Sequence, residues 1–231
     1  MSDYKNTILS QQAKYYDTYL KIKDNPRYRK SWGYIVSHPE FGKKVLDIGC
    51  ADGEFSKYLI DRGYSCFGLE SGDIPAKQAR ANGLVVKKWS FLDRFPYPAN
   101  YFDIVFGGEV IEHTVDDSGF LKEIYRVTKP NGLLILTTPN LVSLGNRFLM
   151  LLGKIPRFVY ADFHYRIFTP EILKIKLIQS GFKIERINSS YILISTFFNK
   201  FVGVIGEWLG SLFPNFGEHL IFFAKKTRAN S

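Results

Sequence analysis

The chain has 231 residues, 31 of them Lys or Arg and 22 Asp or Glu, for a formal charge of +9. Its apolar content of 45% excludes an intrinsically disordered chain, because burying that much surface offsets the entropy lost on ordering. The length fits one large domain with room for a small lobe, and the excess of cations beside 20 Phe and 14 Tyr points to an anionic partner, a nucleic acid or a membrane face.

Cys50 and Cys66 make no disulfide framework and no Cys-x-x-Cys pair, which fits a reducing, cytoplasmic compartment. Residues 1–16 are polar and charged and lack the apolar stretch of a signal peptide. The most apolar window, 201–216, is interrupted by Glu207 and by Gly203, Gly206, Gly210 and Pro214, so no segment reads as membrane-spanning.

Residues 1–42 read as an N-terminal helical cap on a domain spanning 43–231. The run Lys44–Ile48 is short and apolar and ends at Gly49, as a buried strand does. Residues 54–62 place Phe55, Tyr58 and Leu59 at helical spacing, and Gly63 stops them before a second strand over 65–69. A helix over 74–81 closes at Asn82-Gly83, and Leu84-Val85-Val86 begins a third strand. The strand 102–106 follows a Pro-rich loop. A helical stripe of Phe120, Leu121, Ile124, Tyr125 and Val127 then precedes the turn Pro130-Asn131-Gly132 and the strand 133–137. Beyond it, 144–152 reads as a helix, and Thr169-Pro170-Glu171 opens another that runs to Gln179. Strands over 182–188 and 219–225 enclose a long apolar insertion, 192–217. Strands alternating with helices imply right-handed parallel crossovers and an open α/β sheet, whose ligand lies beyond the carboxyl ends of the strands.

The first such end is Asp47-Ile48-Gly49-Cys50-Ala51-Asp52-Gly53. A dinucleotide fingerprint would need Gly at 49, 51 and 54, where this chain has Gly49, Ala51 and Glu54. Asp47 and Asp52 would repel a pyrophosphate and suit a cationic, zwitterionic ligand. Glu70, ending the second strand, can accept both hydroxyls of a ribose.

Together VLDIGCADGEF, GLE, FPYPANYFDIVFGGEVIEH and LKEIYRVTKPNGLLILTTPN resemble the motif series of class I S-adenosylmethionine-dependent methyltransferases, over roughly residues 43–190. The resemblance implies a Rossmann-like, doubly wound, seven-stranded and mostly parallel sheet, with helices on both faces and an antiparallel last strand. It implies S-adenosyl-L-methionine as cofactor, with Asp47, Gly49, Cys50, Ala51 and Gly53 around its methionine end and Glu70 on its ribose. Ala51 departs from the glycine most common in the family. For the adenine, the aligned position is Ser90, and Asp93 can substitute.

The fourth strand runs into Glu109-Val110-Ile111-Glu112-His113, where continued helical geometry would place Glu109, Glu112 and His113 on one face. Two carboxylates and an imidazole make either a general-base site or a site for a hard divalent ion. The block is similar to the Glu-x-x-Glu-His of quinone-pathway O-methyltransferases and small-RNA 2′-O-methyltransferases, which implies a Mg or Mn ion held by Glu109, Glu112, His113 and the downstream His164. His113, Glu112 and Glu109 are the candidate catalytic residues. His38 and His219 read as ordinary surface or turn residues.

Residues 1–44 carry nine basic against four acidic side chains, so over half the net charge lies there. Segments like it in the family close over the cofactor, which places Tyr15, Tyr16, Tyr19, Tyr28 and Trp32 at a substrate entrance or, alternatively, in a packed stripe. The segments 141–168 and 192–217 read as apolar lids, packed on the sheet or lying on a bilayer. The expected activity is O-methylation of a small-molecule or lipid-linked acceptor, a quinone precursor or a lipid-linked sugar, with peripheral membrane contact. RNA 2′-O-methylation and a non-catalytic cofactor-binding role are the alternatives, and nucleic acid is the weaker partner because no RNA-binding module is evident. The oligomeric state is not legible.

Overall fold

The structure, a computed structural model, describes residues 25–90, 93–159, 164–192 and 200–227. Tyr15, Tyr16 and Tyr19 lie outside the described residues.

Helix α1 (Pro26–Ser37) is followed by β1 (Lys44–Ile48), α2 (Glu54–Ile60), β2 (Ser65–Glu70), α3 (Asp73–Ala81) and β3 (Val85–Lys88). Then come β4 (Phe102–Gly108), a 3-10 turn over Ile111–His113, α4 (Asp117–Val127) and β5 (Thr128–Pro139). The remainder is α5 (Leu144–Leu151), α6 (Pro170–Gln179), β6 (Phe182–Ser189), α7 (Lys200–Leu212) and β7 (His219–Lys226). The seven strands form one sheet in the order β3-β2-β1-β4-β5-β7-β6. Pairings among the first five are parallel, and β7 runs antiparallel to both β5 and β6, so it alone opposes the others. The expected sheet is therefore present.

Alternation within each strand builds the two layers. Leu46, Ile48, Val105, Leu134 and Leu136 point to the face covered by α4 and α6, through Phe120, Leu121, Ile124, Leu173 and Leu177. Val45, Ile104, Phe106, Leu133 and Ile135 point to the opposite face, covered by α1, α2 and α3. Trp32 of α1 is buried there, stacked against Tyr58 at 4.2 Å and donating from Nε1 to the Phe55 carbonyl at 3.0 Å. It is a packing residue of that layer and does not line an entrance.

β5 is longer than its apolar run suggests. Its register shifts between Phe102↔Thr128 and Ile104↔Leu133, so residues 129–132 bulge opposite Asp103 with Asn131 at φ +64°. The chain order reverses between β1 and β4, where adjacent connections leave on opposite faces and open a crevice at the strands' carboxyl ends.

Candidate active site

The turn after β1 is tied to the end of β2. Gly49 N and Cys50 N both donate to the Leu69 carbonyl, at 2.8 and 3.1 Å. Gly49 and Gly53 lie at φ +67° and +81°, and Ala51 takes a left-handed φ of +47° despite its methyl group. A Cβ on Gly53 would sit 2.9 Å from Ala79 Cα, so glycine is what lets α2 start this close to α3. Cys50 is buried with its sulfur over Gly68, where a Cβ would lie 2.5 Å from Sγ, and burial raises its thiol pKa. Packing therefore accounts for the Cys50 side chain.

The Glu70 carboxylate is the hub of this corner. Oε2 accepts from Ala51 N at 2.9 Å, and Oε1 accepts from Ser71 N and Gly72 N at 2.8 Å each. Oε1 also accepts from Ser71 Oγ at 3.4 Å, whereas Oε2 has a single donor, so its second lone pair remains for a ligand hydroxyl. Asp47 is buried at 2% exposure and accepts from Ser56 Oγ at 2.7 Å. Burial drives its pKa up to about 7 against the Ser56 hydrogen bond, with Glu70 and Asp52 adding to the rise. Ser90 and Asp93 come together at the end of β3, Ser90 Oγ donating to Asp93 Oδ2 at 2.7 Å, and both are exposed.

A consequence follows for stability. The folded state holds the Asp47 proton more tightly than the unfolded chain does, so stability falls as pH rises from about 4 to about 7. Asp47→Asn, which keeps an acceptor for Ser56, flattens this decline and raises the ligand-free melting temperature at pH 8 by roughly 5 °C, measured by scanning calorimetry.

Beyond β4 the expected single face does not form. Glu109 takes φ +55°, Val110 is not helical, and only the short turn Ile111–His113 follows, so the side chains of the block diverge. Glu109 turns towards the N-terminal helix. Its Oε2 lies 2.7 Å from Arg27 Nη1 and 3.6 Å from His219 Nε2, and Oε1 accepts from Thr137 Oγ1 at 2.8 Å. Burial works to raise the Glu109 pKa, but Arg27, His219 and Thr137 outweigh it and hold the carboxyl below its usual range. His219 is therefore a half-buried neighbour of Glu109, contrary to its reading as an ordinary surface or turn residue. Burial and then Arg27 push its pKa down to about 4 despite Glu109, so it is neutral at pH 7.

Glu112 points elsewhere. It is 1% exposed, Oε2 accepts from Thr138 Oγ1 at 3.1 Å, and Oε1 is buried with no hydrogen-bond partner. Burial first, and the nearby Glu109 second, raise its pKa well above the usual carboxyl range. Donor atoms of Glu112, His113 and His164 all lie within 4.8 Å of one another, and the two imidazoles meet edge to face at 4.8 Å between centroids. His164 Nδ1 is 3.1 Å from the Phe158 carbonyl, which leaves Nε2 as its ligating atom when Nδ1 carries the proton. Of the expected metal set, three residues thus converge and Glu109 does not.

Arg27, Thr137, Thr138 and His219 are site residues that the sequence reading did not select. Each depends on a partner supplied by another element: α1, β5 or the antiparallel β7.

A family model described as "Methyltransferase domain" matches residues 22–187. Tocopherol O-methyltransferase of Arabidopsis thaliana is 38% identical over 107 residues, covering 42% of this chain and 30% of that protein. Ubiquinone biosynthesis O-methyltransferase of Pseudomonas aeruginosa is 32% identical over 108 residues, covering 43% of this chain and 45% of that protein. The matches thus span less than half the length of these relatives. In fold, the chain is similar to an S-adenosylmethionine-dependent methyltransferase of Archaeoglobus fulgidus, with a TM-score of 0.61, 21% identity and coverage of 86% of this chain and 94% of that one. A methyltransferase of Mesorhizobium loti gives a TM-score of 0.60 at 17% identity, covering 85% and 97%. The family model covers most of the chain and the strand order agrees with it: the chain belongs to the class I S-adenosylmethionine-dependent methyltransferases.

Proposed function

We propose that this protein transfers the methyl group of S-adenosyl-L-methionine to a hydroxyl of a small or lipid-attached acceptor. The observation that carries the reading is a buried, orphaned carboxylate oxygen on Glu112, one strand over from the acidic corner of Asp47 and Glu70. The cofactor brings an electrophilic methyl on a sulfonium. The chain has to hold the acceptor oxygen in line and take its proton.

The residues fit the cofactor. Glu70 has acceptor capacity left for ribose hydroxyls, and Ser90 with Asp93 offers polar atoms for the adenine edge. Asp47, Asp52 and Glu70 give the turn a negative field that favours an ammonium and a sulfonium. With its pKa raised to about 7, Asp47 is part-protonated at neutral pH, and a cationic ligand favours its ionised form.

Glu112 is the proton acceptor in this reading. Burial and the nearby Glu109 raise its pKa, which makes its carboxylate a stronger base than an ordinary one, and His113 stands beside it. Glu109 is a positioning residue, locked by Arg27 and Thr137. The same geometry supports a second reading. One carboxylate oxygen and two imidazole nitrogens are a chemically apt donor set for a divalent transition ion, with Mn better suited than Mg to the imidazoles. Glu112, His113 and His164 would hold it, and it would supply a lowered pKa for the acceptor hydroxyl.

The named relatives act in tocopherol and ubiquinone chemistry, which supports an oxygen acceptor on an apolar molecule. The acceptor is identified by incubating the protein and methyl-labelled cofactor with cell extracts separated into lipid, sugar and RNA fractions. Label in the lipid fraction is the expected result. Label confined to RNA replaces this reading with 2′-O-methylation, and the absence of label in every fraction favours a non-catalytic protein.

A further inference from the structure

Helix α7 is built inside out. Gly206 and Gly210 face inward, where a Cβ would lie 3.1 Å from the Ile192 carbonyl and 3.2 Å from Tyr191 Cα. Ser189 Oγ donates to the Gly210 carbonyl at 2.7 Å, so the helix backbone lies directly on the end of β6. Among the described side chains of residues 205–212, Ile205, Trp208 and Leu212 point out, at 42%, 61% and 54% exposure. An ordinary surface helix does the reverse and buries its apolar stripe.

The same inversion occurs in α5 and the loop after it. Gly145 and Asn146 are buried, while Phe148, Leu151 and Ile155, at i, i+3 and i+7, are 60%, 81% and 52% exposed. The turn Pro214–Phe216 touches both helices and joins the two apolar surfaces, and the Arg147 guanidinium lies 4.8 Å over the Phe216 ring. Monomeric soluble proteins rarely leave so many large apolar side chains uncovered in one region.

Charge selects what covers it. Residues 141–159 contain Arg147, Lys154 and Arg157 and no Asp or Glu; all three cations are exposed, and Arg157 alone of them lies near a carboxylate of the described residues, Glu218 Oε2 at 3.6 Å. A second copy meeting this face symmetrically would set like charges against one another. A bilayer with anionic headgroups offers acyl chains to the apolar residues and negative charge to the cationic rim.

We infer that the outward faces of α5 and α7, with the loop 152–159, dock this protein on the surface of an anionic membrane without crossing it. No described helix is long and apolar enough to span a bilayer. The inference stands apart from the methyl-transfer reading, since docking is measured without turnover. If both hold, the acceptor enters from the bilayer beside β5, whose Thr137 and Thr138 hold the site carboxylates.

The protein carries its own probe. Of its three tryptophans, Trp32 and Trp89 are buried at 3% and 4% exposure, and Trp208 alone is exposed. Mixed phosphatidylglycerol and phosphatidylcholine vesicles at low salt are expected to shift the emission to the blue, and brominated acyl chains to quench it in the unaltered protein. Leu151→Ser combined with Leu212→Ser weakens partitioning about tenfold or more. Arg147→Gln with Lys154→Gln lowers the preference for anionic over neutral vesicles about tenfold. S-adenosylhomocysteine affinity, measured on each variant, verifies that the fold is intact and is expected not to change. Absence of both blue shift and quenching in the unaltered protein overturns the inference. So does a vesicle-independent shift that tracks a concentration-dependent dimer in sedimentation velocity, which would assign the face to a second copy.

Discussion

Replacing Glu70 with Ala weakens S-adenosylhomocysteine binding about 100-fold or more in titration calorimetry. Two effects combine in that figure. Hydrogen bonds from ribose hydroxyls to a charged acceptor contribute roughly 1.5–3 kcal/mol each, and each 1.4 kcal/mol is tenfold in affinity. The carboxylate also organises the turn through Ala51 N, Ser71 N and Gly72 N, so its loss frees the backbone that the methionine end must meet. Glu70→Gln separates the two contributions. Its amide retains one oxygen for the turn but sets an NH2 group against backbone donors, and an intermediate loss is expected. Binding of the Ala variant within threefold of the original would remove Glu70 from the cofactor site.

Glu112→Gln lowers turnover about 1000-fold while leaving cofactor affinity unchanged, as removal of a general base does. The substitution is nearly isosteric, and in the ligand-free protein it removes a buried carboxyl that is costly to ionise. The variant therefore folds at least as well as the original above neutral pH, where the original must either ionise Glu112 or hold its proton against the solvent. Chelation divides the two chemical readings. Turnover of the unaltered protein that survives EDTA assigns proton removal to Glu112 and His113 alone. Turnover that collapses and returns with Mn assigns an ion to Glu112, His113 and His164, and His164→Ala then loses activity in parallel.

Much of the fold was legible because local chemistry and global topology agree. Lys44–Ile48 and the strand from Phe102 read as buried strands from their apolar runs, and α6 began at its Thr169 cap, whose Oγ1 accepts from Ile172 N at 3.2 Å. The placement of Asp47 and Glu70 was legible for the same reason: each lies at the carboxyl end of a strand, which faces the crevice whatever lies further away. Glu109, Glu112 and His113 were misassigned to a common face, since helical spacing was carried into residues that are not helical. The cause is a left-handed φ at Glu109, stabilised by Thr137 from the neighbouring strand, which is a contact between residues 28 apart. His219 was further out of reach. Nothing around it in the sequence marks it as a partner of the carboxylate, and only the antiparallel return of β7 beside β5 brings it near Glu109. In α5 and α7 the apolar residues were visible, but which way they point depends on small residues packed against a partner.

The ion pair between Arg27 and Glu109 also governs traffic into the crevice. Arg27 belongs to a helix whose Trp32 and Ile35 are part of the core, and its guanidinium caps the end of β4 at 6% exposure. Lifting that helix would separate the ion pair and expose Trp32 and Ile35, so core packing as well as charge holds it down. On this side α1 is therefore a fixed wall of the crevice, and an acceptor of the proposed reaction has to approach from another.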